Sequence, residues 1–271
     1  MKKKKKILVL VDLKDTTLET LRPAIKFAQM MDANINLFHI KKPGRVIDTE
    51  NQLSAFRTFT SEHKKMKDKA KAFIKELYND EKVKIDFSFA IGHPKHELNH
   101  YLEQNKADIL VLGKKKSKPV KFIGDDFTEV VLKYFTGPIL IVNSKKEDFS
   151  LTDLSLGILN NQNLLSNFKF SQNLLQHTSQ PITTFNFIKN SKKITTTQKY
   201  EQKIVEYFFE NNNDISQNLS QYLIKSKVNL LYIDRSLQEQ KLSDFKSLSI
   251  KDIILNTDVS ILLSEKNFDS E

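Results

Sequence analysis

ADILVLG at 107–113 and TGPILIV at 136–142 recur 121 positions later as VNLLYID at 228–234 and TDVSILL at 257–263. The same ungapped shift carries Phe87 onto Phe208, Leu98 onto Leu219, Tyr101 onto Tyr222 and Leu102 onto Leu223. Nearer the start of each copy the shift is 148. It takes ILVLVD (7–12) onto SLGILN (155–160) and NLFHI (36–40) onto TFNFI (184–188). The difference falls in one place, where the 44 positions of 41–84 correspond to the 17 of 189–205. A period of this kind fixes architecture before any local reading. The chain reads as a tandem duplication whose second copy has lost one element.

Each copy alternates short apolar runs with amphipathic segments. In the first, residues 7–11 form an unbroken apolar run, as a strand covered on both faces requires. Thr16 followed by Glu19 predicts a capping box for a helix over 17–31, with Leu18, Leu21, Ile25 and Ala28 at helical spacing. Strands follow at 34–40, 84–90, 108–112 and 139–143. Helices are predicted over 52–79, 95–105 and 127–135, the second opening after Gly92 and Pro94 and the third ending at Gly137-Pro138. Alternating strands and helices imply a parallel sheet with right-handed crossovers. The second copy repeats the strands near 155–159, 182–188, 204–209, 229–233 and 260–263. Residues 189–205 are too few for the long second helix. The predicted boundaries are a first domain at 1–144, a polar linker at 145–152, a second domain at 153–266 and a tail at 267–271, the chain turning polar after Ser264.

Composition excludes several classes. The 271 residues include 19 Phe, enough for two cores, and no Cys, so disulfide and thiolate chemistry are ruled out. No apolar run reaches the roughly 18 residues of a membrane span, and ILVLV after Lys2–Lys6 is too short for a signal peptide. The charge is uneven. Residues 1–150 carry 30 Lys/Arg against 20 Asp/Glu, and residues 151–271 carry 13 against 13. The whole excess of +10 sits on the first copy. Without basic-aromatic interleaving this reads as solvated faces, so neither nucleic acid nor membrane is an expected partner.

ILVLVD at 7–12, GHPKHEL at 92–98, KADILVLG at 106–113 and TGPILIVN at 136–143 resemble, in order and spacing, the universal stress protein family. The likeness covers essentially all of 1–144, and the second copy resembles a degenerate second domain of that family. The resemblance implies an α/β fold of two tandem doubly wound five-stranded parallel sheets of order 3-2-1-4-5. The second domain would lack its second helix. It also implies dimer-like association of the two domains as an intramolecular pseudo-dimer, with a homodimer as a further possibility. A cytoplasmic role in stress adaptation through protein partners not identified by sequence would follow. Some members of the family bind ATP and others do not.

In such a sheet the ligand cleft lies beyond the carboxyl ends of the first and fourth strands. By the resemblance, Asp12 would meet the nucleoside and Ile40 would pack near the base. Phosphates would lie on a loop reading Gly, two residues, Gly, nine residues, Gly, then Ser or Thr. Gly113 matches the first position. Lys116 stands at the second, Asp126 at the third and Phe127 at the Ser/Thr, while Gly124 falls two residues early. Side chains there keep the backbone from approaching phosphate, and Asp125 and Asp126 oppose its charge. Lys114, Lys115, Lys116 and Lys118 offer charge alone. The second copy has Asn160 for the Asp and Asp234 for the Gly. No cofactor is therefore expected. The alternative is an adenine-nucleotide-binding regulator with ATP on Asp12, Ile40, Gly113, Lys114, Lys116 and Gly124.

The remaining polar residues have plainer readings. Asp12 serves to cap the loop after its strand, and His39 is a satisfied strand residue. His93, His96 and His100 lack a clear third ligand on a common face, so no metal is expected. With no Ser-His-Asp set, paired carboxylates or Walker loop, the chain is not expected to be an enzyme.

Overall fold

The apolar runs become strands and the amphipathic segments pack over them. The structure, a computed structural model, describes residues 4–42, 52–77, 83–114, 127–143, 154–159, 171–178, 181–188, 203–210, 215–235 and 249–266. The chain divides into two compact units, Met1–Phe135 and Thr136–Glu271.

The first unit contains β1 (Lys5–Val11), α1 (Thr16–Met30), β2 (Ala33–Lys41), α2 (Gln52–Leu77), β3 (Ile85–Ile91), α3 (Pro94–Gln104), β4 (Ile109–Lys114) and α4 (Phe127–Tyr134). Its strands are all parallel, in the order β3-β2-β1-β4. Ile7, Val9 and Val11 alternate with Leu8 and Leu10, and all five are buried, because helices cover both faces of a parallel sheet. Leu21, Ala24, Ile25 and Ala28 form the buried stripe of α1, and Met66 and Ala70 that of α2. On α3 the buried residue Leu98 fixes the inward face, and Tyr101 stacks on Phe38 of β2 with ring centroids 4.1 Å apart.

The start of α1 differs from its sequence signature. Asp15 occupies the N-cap position in a helical conformation and makes no side-chain cap bond. The Thr16–Glu19 capping box does not form, because the helix already begins at Thr16 and Asp15 takes the N-cap position. The Thr16 hydroxyl, inside the first turn, donates to the Asp12 carboxylate at 3.0 Å.

The second unit contains β5 (Ile139–Asn143), β6 (Leu156–Leu159), α5 (Ser171–Gln176), β7 (Ile182–Ile188), β8 (Ile204–Glu210), α6 (Ile215–Lys225), β9 (Leu230–Ile233), α7 (Ile250–Asn256) and β10 (Ser260–Leu263). The order β8-β7-β6-β9-β10 is parallel throughout, and β5 joins β10 antiparallel. A capping box does form on α7: Ser249 Oγ accepts from the Asp252 N–H at 3.1 Å, and Asp252 Oδ2 accepts from the Ser249 N–H at 3.1 Å. Phe185 stacks on Tyr207 and Phe209 across β7 and β8, Phe187 meets Phe209 at a tilt, and Tyr207 and Phe209 meet Tyr222 of α6 edge-on. The shortened stretch at 189–202, the linker at 145–152 and the tail at 267–271 lie outside the described residues.

The apolar strands β5 and β10 pair with one another. Ile261 lies opposite Ile141, Leu262 opposite Leu140 and Leu263 opposite Ile139, all buried. An exposed edge of this composition would template aggregation, and mutual pairing removes it. Ser264 is buried, and the Lys266 N–H donates to the Thr136 carbonyl at 2.7 Å. Leu262→Ala should cost about 2–5 kcal/mol, because it opens a cavity at a side chain only 1% exposed. Ile224→Ala, at a side chain 54% exposed, should stay within about 0.5 kcal/mol. Urea unfolding of the two variants beside the parent chain checks the contrast.

Candidate functional site

The carboxyl ends of β1 and β4 in the first unit bring Asp12, Gly113 and Lys114 near the start of α1, with Ile40 at the end of the neighbouring β2. Asp12 follows β1 directly. Its Oδ1 accepts from the Lys14 N–H at 3.1 Å and from the hydroxyls of Thr16 at 3.0 Å and Thr17 at 3.5 Å. This turn brings the chain through Leu13 in the left-handed region, at φ 52°. One carboxylate oxygen thus organises the loop that opens α1, as the turn-forming chemistry of Asp favours.

Ile40 is buried on the α3 side of β2. Gly113 is buried on the opposite side of β4, and the Thr20 hydroxyl of α1 occupies the space a Cβ would need. That hydroxyl is itself fixed, donating to the Thr16 carbonyl at 3.2 Å. A glycine is required at 113 by close helix–strand packing, whatever else approaches it. Lys114 is half-buried, and it has interactions within the protein. Lys116 and Gly124, with Lys115, Lys118, Asp125 and Asp126, lie outside the described residues. The structure therefore brings four of the six predicted positions to one end of the sheet.

His39 is a satisfied strand residue, as its place in NLFHI suggests. Its Nδ1–H donates to the Val11 carbonyl at 2.9 Å, one residue before Asp12. Burial pulls its pKa below 6.5; the Val11 carbonyl and Asp12 oppose this, while Lys41 and Lys69 add to it. The ring therefore sits neutral between β1 and α2. The signal in the sequence was an isolated His within NLFHI, but its alignment with Val11 is a matter of register. His96 and His100 are exposed on α3 with ring centroids 6.4 Å apart, and His100 meets Gln104 at 3.0 Å.

In the second unit the corresponding strand end is filled by the chain itself. Asp234 follows β9 directly, and its Oδ1 accepts from the Ser264 hydroxyl at 3.0 Å. Arg235 is only 5% exposed. Its Nε donates to the Ser264 carbonyl at 2.6 Å, and its Nη2 to the carbonyls of Thr136, at 2.9 Å, and Gly137. Burial lowers the guanidinium pKa to about 10, against the pull of Glu265, so it stays charged near neutral pH. Burial foremost, with Asp234 adding, pushes the Tyr232 phenol up, against a Ser264 hydrogen bond. Asn160 lies outside the described residues.

A family model described as the universal stress protein family matches residues 4–143. The chain belongs to the universal stress protein family. A universal stress protein of Methanocaldococcus jannaschii is 24% identical over 145 residues, covering 53% of this chain and 85% of that one. A solved universal stress protein from Archaeoglobus fulgidus matches with a TM-score of 0.69 at 11% identity, covering 98% of this chain and 97% of that one. A structure titled as a universal stress protein from Pseudomonas aeruginosa matches with a TM-score of 0.53 at 11% identity, covering 96% and 92%. These likenesses establish the α/β fold with parallel strands that universal stress proteins share. No helix among the described residues is long and apolar enough to cross a membrane.

Removing the Arg235 guanidinium leaves three carbonyls without their charged donor. Arg235→Ala should therefore lower unfolding free energy by about 1–3 kcal/mol or more. Arg235→Lys should recover only part of that, since one ammonium cannot reproduce the planar fork; urea titration of both reads the difference. For His39 the folded pKa lies below the unfolded value of 6.5, so the unfolded chain binds more protons between the two. Its contribution to stability is fully present above pH 6.5 and declines as pH falls toward the folded pKa. Unfolding free energies measured from pH 7.5 to 5 should fall, and His39→Gln should flatten that fall.

Proposed function

We propose that this universal stress protein works through its surfaces, as a cytoplasmic, non-enzymatic interaction protein of the stress response, and does not hold ATP in the first-unit cleft. The observation that carries this reading is the state of Asp12. Its Oδ1 is committed to a backbone amide and two threonine hydroxyls of its own loop. The loop sequence adds to it, with Lys116, Asp126 and Phe127 where phosphate binding calls for Gly, Gly and Ser or Thr. A backbone amide to a charged group contributes about 1.5–3 kcal/mol, whereas each screened exposed lysine contributes at most about 1 kcal/mol. Lysine charge does not replace a lost phosphate loop.

The second unit supports the same reading from a different direction. Asp234 and Arg235 close its strand end with internal bonds, and a carboxylate there repels phosphate. We read this unit as a degenerate copy of the first in one tandem chain, with domains at 1–144 and 153–266. The register of β5 with β10 favours duplication. Under the 121-residue shift Leu140 corresponds to Ile261 and Ile141 to Leu262, and the observed pairs are Ile141–Ile261 and Leu140–Leu262. Each pair maps onto the other when the copies are exchanged, as a self-complementary twofold contact does. This is the support for an internal pseudo-dimer.

Titration calorimetry with Mg-ATP at moderate salt tests the proposal. The expected result is no saturable binding tighter than about 10 μM, equivalent to about −7 kcal/mol. Saturable binding below that value that is lost in Asp12→Asn would overturn it. Gly113→Val is unsuited as the control, since its side chain would collide with Thr20.

A further inference from the structure

The first unit has a second concave feature, at the opposite end of its sheet from Asp12. A groove of about 370 Å³ runs beneath the amino ends of the strands and the last turn of α3. Its polar lining is unusual in being rich in donors. Four lysines line it, Lys4, Lys6, Lys84 and Lys106, against the single carboxylate of Asp86, a net of +3 (four minus one). Lys84 is paired with Asp86 at 3.0 Å and Lys4 with Asp32 at 3.3 Å. Among the described residues no carboxylate lies within ion-pair distance of the Lys6 or Lys106 ammonium groups.

Of the three asparagines of the lining, Asn105 spends its Nδ2 on the Tyr101 carbonyl at 3.1 Å, while Asn34 and Asn36 are oriented by bonds on their oxygens. Asn36 Oδ1 accepts from the Ser88 hydroxyl at 2.6 Å, and Asn34 Oδ1 accepts from the Lys84 N–H at 3.4 Å. Using the amide oxygens in this way leaves the amide nitrogens, donors only, for the groove. The floor is rigid: Asn34 and Asn36 lie beside Lys6 and Leu8 in the β1–β2 register, and Tyr101 is stacked on Phe38. A concave site with fixed amide donors and uncompensated ammonium groups is complementary to an oxyanion with several negative charges. We propose that this groove binds a small phosphate-bearing anion, with Lys6 and Lys106 supplying charge and Asn34 and Asn36 supplying oriented donors. It is independent of the cleft beyond Asp12, and the lysines arrive there because the basic run 2–6 leads directly into β1.

Inorganic tripolyphosphate added to the full-length protein, followed by calorimetry and amide NMR shifts, is the test. Saturable binding at one site is expected, with shifts around residues 34–36 and 105–107 and an affinity that falls as salt rises. The double variant Lys6→Gln/Lys106→Gln changes two exposed side chains, so its fold should persist, and it should weaken binding at least about tenfold, roughly 1.4 kcal/mol or more. Asn36→Asp, an isosteric exchange of donor for acceptor, should do the same, while Asp12→Asn should leave binding unchanged. The charge-matched control Lys64→Gln/Lys67→Gln removes two exposed lysines of α2. If it weakens binding as much as the groove variant, the interaction is diffuse charge attraction and the proposal fails. It fails equally if the folded Lys6→Gln/Lys106→Gln protein binds like the parent, or if the parent shows no saturable binding.

Discussion

An apolar strand at the margin of a sheet has to find a partner, and the pairing of Ile139–Asn143 with Ser260–Leu263 satisfies that need twice with one contact. Both strands are short and buried, and neither has a polar face to offer water. The two strands pair antiparallel, with Ile261 opposite Ile141 and Leu262 opposite Leu140. Other features gather around this contact. The Ser260 hydroxyl accepts from the Asn143 N–H at 3.2 Å. Arg235 reaches the carbonyls of Thr136 and Gly137 that lead into β5. The segment after β10 is tied at Lys266 to Thr136. A buried arginine is costly unless its donors are met, and here backbone carbonyls rather than a carboxylate meet them.

The carboxyl ends of the first and fourth strands of each unit are organised by different contacts. In the first unit the loop after β1 folds around Asp12, and α1 lies so close to β4 that Gly113 has no room for a side chain. In the second, Asp234 and Arg235 introduce side chains that bond to the protein itself. At both strand ends polar side chains are held by internal hydrogen bonds. Membership of the universal stress protein family therefore settles the scaffold without settling the chemistry, in keeping with the separation of fold and site.

The basic excess of the first copy looks diffuse in the sequence. The fold concentrates part of it, because parallel strands bring their amino ends to one side. Lys4 before β1, Lys6 in β1, Lys84 before β3 and Lys106 before β4 come from three regions of the sequence and meet around one groove. The same alignment turns Asn34 and Asn36 to the face shared with Tyr101.

Local pattern carried the strands and helices. Unbroken apolar runs, helical spacing and the Gly137-Pro138 break placed the described elements of the first copy within a few residues, because burial on two faces imposes those patterns on any parallel sheet. The repeat at 121 positions pointed to which strands would end each copy. What sequence could not give was competition between local options. Thr16 caps no box because the helix starts one residue early, with Asp15 at its N-cap, and that depends on how the chain leaves β1. The need for glycine at 113 comes from Thr20, 93 positions away in the chain (113 − 20) and adjacent only after α1 packs on β4. His39 is set beside Asp12 by strand register, and Arg235 finds its acceptors only once β9, β10 and the start of β5 converge. Sequence periodicity specifies which face of an element is buried. Which polar atom meets which is decided by distances that exist only in the folded chain.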